Sequence, residues 1–186
     1  MRIVAGEFRG RQLKSPTWDG LRPTSDRLRE TLFNILGPSV RGARVLDGYA
    51  GTGAIGIEAL SRGAAAVTFV ERDPRAVKLI EANLAALGAT GVIMRAGLAD
   101  AVTRLGGQVF DLIVLDPPYA DGAAAEALDA VQALATGRTR VVVEHATRHP
   151  SPLERGELRL TRTVKAGDSA LSFYVAVVGA EDASGA

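Results

Sequence analysis

Residues 44–64, RVLDGYAGTGAIGIEALSRGA, decide the fold. Positions 44–46 are a short β-forming run closed by Asp47, a Gly-rich turn follows, and 53–62 carries Ile55, Ile57, Ala59 and Leu60 as a helix would. Strand, glycine turn and helix form the opening unit of a parallel sheet. At such a turn the backbone can approach a ligand closely, and the first N–H groups of the helix lack intrahelical partners.

Moving outward, the same alternation repeats. Residues 66–70 read as a strand, and 74–87 as a helix with Pro74 in its first turn and Gly88 just past its end. Residues 91–95 suit a third strand; 111–115 (DLIVL) suit a buried central one. Residues 123–134 are helical in composition, and 140–144 (RVVVE) form another buried strand. The end differs in kind. Residues 157–164 alternate with period two, 171–178 are β-rich, and Ala166-Gly167-Asp168-Ser169 lies between, which reads as an antiparallel hairpin. The expected fold is α/β: five parallel-type strands and a terminal hairpin in a seven-stranded mixed sheet, with helices on both faces. Upstream, 2–13 reads as an extended or hairpin arm and 25–36 as a helix capped by Ser25. This divides the chain into a basic arm and helix (1–43), a catalytic body (44–178) and a frayed tail (179–186).

Composition narrows the chemistry. The 186 residues are 47% hydrophobic and include no Cys and only two His, which excludes disulfides, thiolate metal sites and cysteine nucleophiles and leaves little for a zinc site. No metal is expected. The start MRIVAGEFRGRQL lacks an apolar signal region and no stretch is apolar enough to span a bilayer, so a cytoplasmic protein without membrane association is expected. Net charge is +1, but residues 1–44 hold nine Arg or Lys against four acids, a surplus of five, leaving −4 for the remainder. A basic arm on an acidic body suits contact with phosphates; an Arg-rich solvated surface is the plain alternative.

The Gly-rich turn admits two cofactors, since Gly51-Thr52-Gly53-Ala54-Ile55-Gly56 also matches the dinucleotide fingerprint. Asp47 favours S-adenosylmethionine: it can face an ammonium or a sulfonium-bearing amino acid, and would repel a pyrophosphate. Glu71, closing the second strand, is placed for ribose hydroxyls, or is a solvated strand-end acid. Tyr49 suits packing beneath the cofactor.

Asp116-Pro117-Pro118-Tyr119 follows DLIVL at the carboxyl edge of the sheet, where ligands of open α/β folds bind. The plain reading is a Pro-rich turn. Yet the prolines remove two donors and leave carbonyls, so an acid, rigid acceptors and an aromatic plane together suit a planar group bearing NH2. Hydrogens donated to Asp116 and to the Pro117 carbonyl would free the amine lone pair to attack a methyl group while the ring stacks on Tyr119. Asp116, Pro117, Pro118 and Tyr119 are the catalytic candidates. The histidines, His145 and His149, suit loop or surface roles.

Four stretches carry a resemblance: RIVAGEFRGRQL (2–13), RPTSDRLRETLFNIL (22–36), LDGYAGTGAIGIEALSRGA (46–64) and DLIVLDPPY (111–119). Over about residues 1–178 the chain resembles the RsmD family of bacterial 16S ribosomal RNA guanine-N2 methyltransferases. DPPY is shared with adenine-N6 DNA methyltransferases; RPTSDRLRETLFNIL and EALSRGA are far more restricted. The resemblance implies a class I S-adenosylmethionine-dependent methyltransferase fold, Rossmann-like, and methylation of a guanine N2 in 16S rRNA or an assembling small subunit; a monomer is expected. It places Asp47, Gly51, Gly53 and Glu71 on the cofactor and Asp116, Pro117 and Tyr119 on the target base; Tyr49 and Arg72 complete the cofactor-binding candidates. It makes Arg2, Arg9, Arg11 and Lys14 an RNA-contacting arm and sets Arg22, Thr24 and Arg27 near the cleft, although Arg27 and Glu30 could equally be a surface pair. An adenine-N6 methyltransferase and a silent RNA-binding assembly factor are the alternatives. Two departures stand out. Gly48 replaces a large residue after the motif Asp, which should loosen the turn, and Lys165-Ala166-Gly167-Asp168 lacks the usual Tyr-Gly pair. The residue contacting the adenine is not readable from 97–100.

Overall fold

Period-two alternation splits each central strand between two apolar layers. The computed structural model describes residues 1–18 and 26–177; Arg22, Thr24, the Ser25 cap and the tail 179–186 lie outside the described residues. The strands are β1 (Arg44–Asp47), β2 (Ala66–Glu71), β3 (Val92–Arg95), β4 (Leu112–Leu115), β5 (Arg140–Ala146), β6 (Glu154–Arg155), β7 (Leu158–Ala166) and β8 (Ser169–Ala176). The helices are α1 (Asp26–Leu36), α2 (Ala54–Ser61), α3 (Pro74–Leu87), α4 (Leu98–Arg104) and α5 (Ala123–Val131). All strands form one sheet ordered β3-β2-β1-β4-β5-β8-β7-β6. The first five run parallel, and β8, β7 and β6 join antiparallel.

The sheet therefore has eight strands rather than the expected seven. The extra one, β6, is two residues long and pairs Glu154 with Arg159 and Arg155 with Leu158; two residues are too few to show a period. Helix α4 is also absent from the sequence reading. It has seven residues and starts after Gly97 without a side-chain cap, so it lacks the usual start signal.

Val45, Leu112 and Val114 face one layer, with Phe69 and the α2 residues Ile55 and Ile57. Leu46, Ile113 and Leu115 face the other, with Leu98 of α4 and Leu128 of α5. Ile3 and Leu13 of the arm, and Leu32 and Phe33 of α1, belong to the first layer, so arm and sheet share one core.

Polar contacts hold the arm to α2 and α3. An antiparallel bridge joins Arg2 to Gln12. The Val4 and Ala5 N–H groups donate to the Glu58 carboxylate at 2.8 and 3.0 Å, and the Phe8 N–H donates to Ser61 Oγ at 2.9 Å. Gly6, at φ +85°, passes so close to α2 that a Cβ would lie 1.8 Å from the Ser61 carbonyl oxygen. Glu58 also pairs with Arg62 at 2.9 Å and with the fully buried Arg29 at 3.4 Å. Farther along, the Lys14 N–H donates to Asn83 Oδ1 of α3. No helix among the described residues is long and apolar enough to cross a membrane.

Candidate functional site

The chain steps outward from β1 to β3 and then returns to β4, so the order reverses between β1 and β4. Loops leaving the carboxyl ends of strands diverge at such a switch point and leave a crevice. A cleft of about 960 Å³ opens there, walled by the turn after β1, by Glu71 and Arg72, by 96–99, and by Asp116 to Tyr119.

On the first wall, Gly53 caps α2 at φ 77°, and a Cβ would press on Ile80 at 3.2 Å. Glu71 organises this wall: one carboxylate oxygen accepts the Gly51 N–H at 2.8 Å, the other the Asp73 N–H at 2.8 Å. Tyr49 packs half-buried against the second apolar layer. Burial raises its phenol pKa, the Glu126 charge adds to this, and Arg72 opposes it. Arg72 stands exposed on the rim.

Asp47 departs from expectation. Only 1% exposed, it is not part of the cleft wall; its Oδ2 accepts the Gly56 N–H at 2.9 Å, tying the strand end to α2. Burial pushes its carboxyl pKa up to about 7, against the Gly56 bond and with help from the Glu71 charge. Asp47 shapes the loop from beneath rather than facing a ligand. Gly48 does not loosen the turn either: a Cβ there would lie 2.4 Å from Leu115 Cδ2, so the space is already filled.

The third wall is Ala96, Gly97, Leu98 and Ala99, and Asp100 is exposed outside it. Trp18 also lines the cleft and was not singled out from sequence; its ring lies 5.1 Å from the Arg75 guanidinium, which pairs with Asp73 at 2.7 Å. A lone aromatic in an irregular arm gives no periodic signal.

On the opposite wall Asp116 is partly exposed, Pro117 buried, Pro118 exposed and Tyr119 half-buried. The Tyr119 hydroxyl donates to Glu144 Oε1 at 2.6 Å and lies 2.7 Å from Ser169 Oγ. Its pKa rises well above the ordinary phenol range through burial first and the Glu144 hydrogen bond second. His145 corrects the surface expectation. It sits buried within β5, with Nε2 2.9 Å from Ser172 Oγ. Arg2, Arg9, Arg11, Lys14 and Arg27 are exposed, and Arg11 Nη2 donates to the Ala86 carbonyl. Among the described residues no cluster of three or more acids or histidines could hold a metal.

The family model described as Conserved hypothetical protein 95 matches residues 1–175. Ribosomal RNA small subunit methyltransferase D of Escherichia coli (strain K12) is 35% identical over 176 residues, 94% of this chain and 89% of that protein. The chain belongs to the RsmD family. YlbH of Bacillus subtilis (strain 168) is 36% identical over 184 residues, covering 94% of this chain and 98% of its own length. The solved structure of yhhF from Escherichia coli superposes with a TM-score of 0.83 at 35% identity, over 95% of this chain and 97% of that one. The chain thus has the class I methyltransferase fold. Its restricted EALSRGA stretch now has a physical role, because Glu58 and Ser61 accept the arm N–H groups and Arg62 pairs with Glu58.

Proposed function

We propose that this chain transfers a methyl group from S-adenosylmethionine to the exocyclic N2 amine of a guanine in small-subunit ribosomal RNA. The observation that carries the reading is one cleft with a Gly-rich cofactor turn on one side and Asp116-Pro117-Pro118-Tyr119 on the other. The Escherichia coli relative, a ribosomal RNA small subunit methyltransferase, supports the RNA substrate.

The residues fit the cofactor. Glu71 lines the cleft, and its carboxylate oxygens, each taking one backbone N–H, have lone pairs left for ribose hydroxyls. Gly51 lets a ligand approach the backbone, whereas Gly53 faces Ile80 and serves the turn itself; Leu98 and Ala99 give an apolar flank for a purine, and Tyr49 supports the turn from below. When bound, S-adenosylmethionine supplies a methyl group activated by a positively charged sulfur.

Asp116 holds the acceptor side. A guanine amine is a weak nucleophile because its lone pair is delocalised into the ring. Hydrogen bonds from its N–H groups to the Asp116 carboxylate and the Pro117 carbonyl favour the pyramidal geometry that can attack, and the carboxylate offsets positive charge growing on nitrogen. Tyr119 supplies the wall against which the base is aligned, and Arg2, Arg9, Arg11 and Lys14 meet phosphates. Arg22, Thr24 and Arg27 would act nearer the cleft.

Labelled methyl transfer to small subunits, naked 16S rRNA and duplex DNA, with nucleosides identified by mass spectrometry, tests this. N2-methylguanosine is the expected product. N6-methyladenine would overturn the choice of base, and cofactor binding without any product would point to a silent RNA-binding factor.

A further inference from the structure

Tyr119 leaves the loop after β4, yet its hydroxyl is held by residues of two other strands. Leu115 of β4 pairs with Val143 of β5, which sets Glu144 level with Asp116, and Glu144 in turn pairs with Leu171 of β8. Ser169 opens β8. The side chain therefore spans β5, from the β4 loop to the terminal hairpin. Its single proton goes to the Glu144 carboxylate at 2.6 Å, so the Ser169 hydroxyl, 2.7 Å away, donates to the phenol oxygen. Glu144 is only 4% exposed and follows the buried run Val141 to Val143. A carboxylate there is costly unless it accepts strong hydrogen bonds, and a bond to a carboxylate is roughly twice as strong as one between neutral groups.

We propose that Glu144 and Ser169 are positioning residues, which fix the plane of the Tyr119 ring at the acceptor end of the cleft. The inference rests on the methyl-transfer reading above. Pro117 and Pro118 restrict the backbone on one side of the ring and the two hydrogen bonds fix the hydroxyl on the other, so an arriving base meets a surface that is already ordered. Committing the phenol proton to Glu144 has a second effect. Tyr119 presents no donor to the base, and Asp116 remains the polar partner for an amine. The chemistry thus depends on a carboxylate two strands from the cofactor turn through a residue that touches the base with its ring.

The test measures kcat and KM on the ribosomal substrate, cofactor affinity and Tm for Glu144→Ala, Glu144→Gln, Ser169→Ala, Tyr119→Phe and the Glu144→Ala/Tyr119→Phe pair. Glu144→Ala should lower kcat about tenfold to a hundredfold and Ser169→Ala about threefold, with cofactor affinity unchanged. Glu144→Gln keeps an acceptor oxygen and should restore most of the rate. In the double variant, Glu144→Ala should add no loss to that of Tyr119→Phe, because both remove one interaction. Independent, multiplicative losses would overturn the proposal, as would wild-type kcat in Glu144→Ala. If Glu144→Ala does not fold, Ser169→Ala decides: an unchanged kcat overturns the proposal. A wild-type protein inactive on every ribosomal substrate would instead overturn the reading of the previous section.

Discussion

Replacing Glu58 by Ala removes the carboxylate on which the arm, α1 and α2 converge. Glu58 and Arg29 are both fully buried and 3.4 Å apart. The same carboxylate accepts the Val4 and Ala5 N–H groups and pairs with Arg62. Without it, Arg29 keeps, among the described residues, Asp26, whose side chain is 45% exposed, and the Arg2 carbonyl. Breaking a buried pair from one side costs about 3 to 5 kcal/mol, because a charge is left without compensation. The two arm N–H groups are only part-buried and can recover water, so they add little. Domain stabilities run about 5–15 kcal/mol, and at this size each kcal/mol moves Tm by about 2–4 °C. Calorimetry should then show Tm falling by roughly 6–20 °C, with the arm newly open to limited proteolysis. Adding Arg29→Met should recover most of the loss, since replacing both charged partners with apolar groups is often close to neutral. A fall below about 3 °C, or a double variant no more stable than the single, would refute the assignment of Glu58 as the arm's anchor.

Asp47→Asn should flatten the pH dependence of stability. With its carboxyl at about 7, folded Asp47 keeps a proton that the unfolded chain releases near pH 4, so its contribution is lost as pH rises between those values. The span is worth on the order of 4 kcal/mol, and urea unfolding from pH 4 to 8 should show a smaller decline in the variant. Gly6→Ala places a Cβ 1.8 Å from the Ser61 carbonyl oxygen and strains φ +85°; arm proteolysis should rise and RNA methylation fall. Replacing Arg9 and Arg11 together by Ala should weaken RNA binding and cut the slope of log K against log salt by about 1.4 to 1.8, while cofactor affinity holds; an equal loss of cofactor affinity would make the arm structural instead. Asn83→Ala should differ from that pair by weakening cofactor and RNA binding together, as titrations of each ligand would show.

What the sequence revealed and what it hid follow the same physical line. The turn at 47–53 is legible because a β run gives way to a helical one across clustered glycines, and β4 is legible because it is apolar on both faces. The Asp116-Pro117-Pro118-Tyr119 loop is legible because prolines allow few conformations. Glu58, Asn83, Glu144 and Arg29 give no signal because a polar side chain in a regular element reads by default as solvated. Helix α2 shows why that default fails. Seven of its eight residues are buried, Glu58 and Ser61 among them, because the sheet covers one side and the arm the other. A periodic pattern can register one covered face. It cannot register a second face covered by irregular backbone, which must be met by polar groups. Asp47 erred in the opposite direction: at a strand end beside glycines it resembles a ligand contact, but its neighbours across the sheet, Phe69 and Val114, are core residues, and its carboxylate is used by α2.

The hidden residues share a geometry. Glu58 lies within α2, Asn83 within α3 and Glu144 within β5, and each binds a segment of the proposed site to a rigid element. Asn83 binds two at once. Its Oδ1 accepts the Lys14 N–H at 2.8 Å, and its Nδ2 lies 3.2 Å from both the Lys14 and Thr52 carbonyls. One buried amide thus holds the basic arm on one side and the cofactor turn on the other. Neither segment can move far without giving up a hydrogen bond in a site only 1% exposed, where water cannot readily replace it. On the proposed reading, an RNA that shifts the arm must therefore disturb the turn assigned to the cofactor. By the reciprocity of linkage, a cofactor that orders the turn must favour one position of the arm by the same free energy. The expected consequence is that RNA affinity depends on cofactor occupancy in the wild type, and that Asn83→Ala abolishes the dependence even where each ligand still binds.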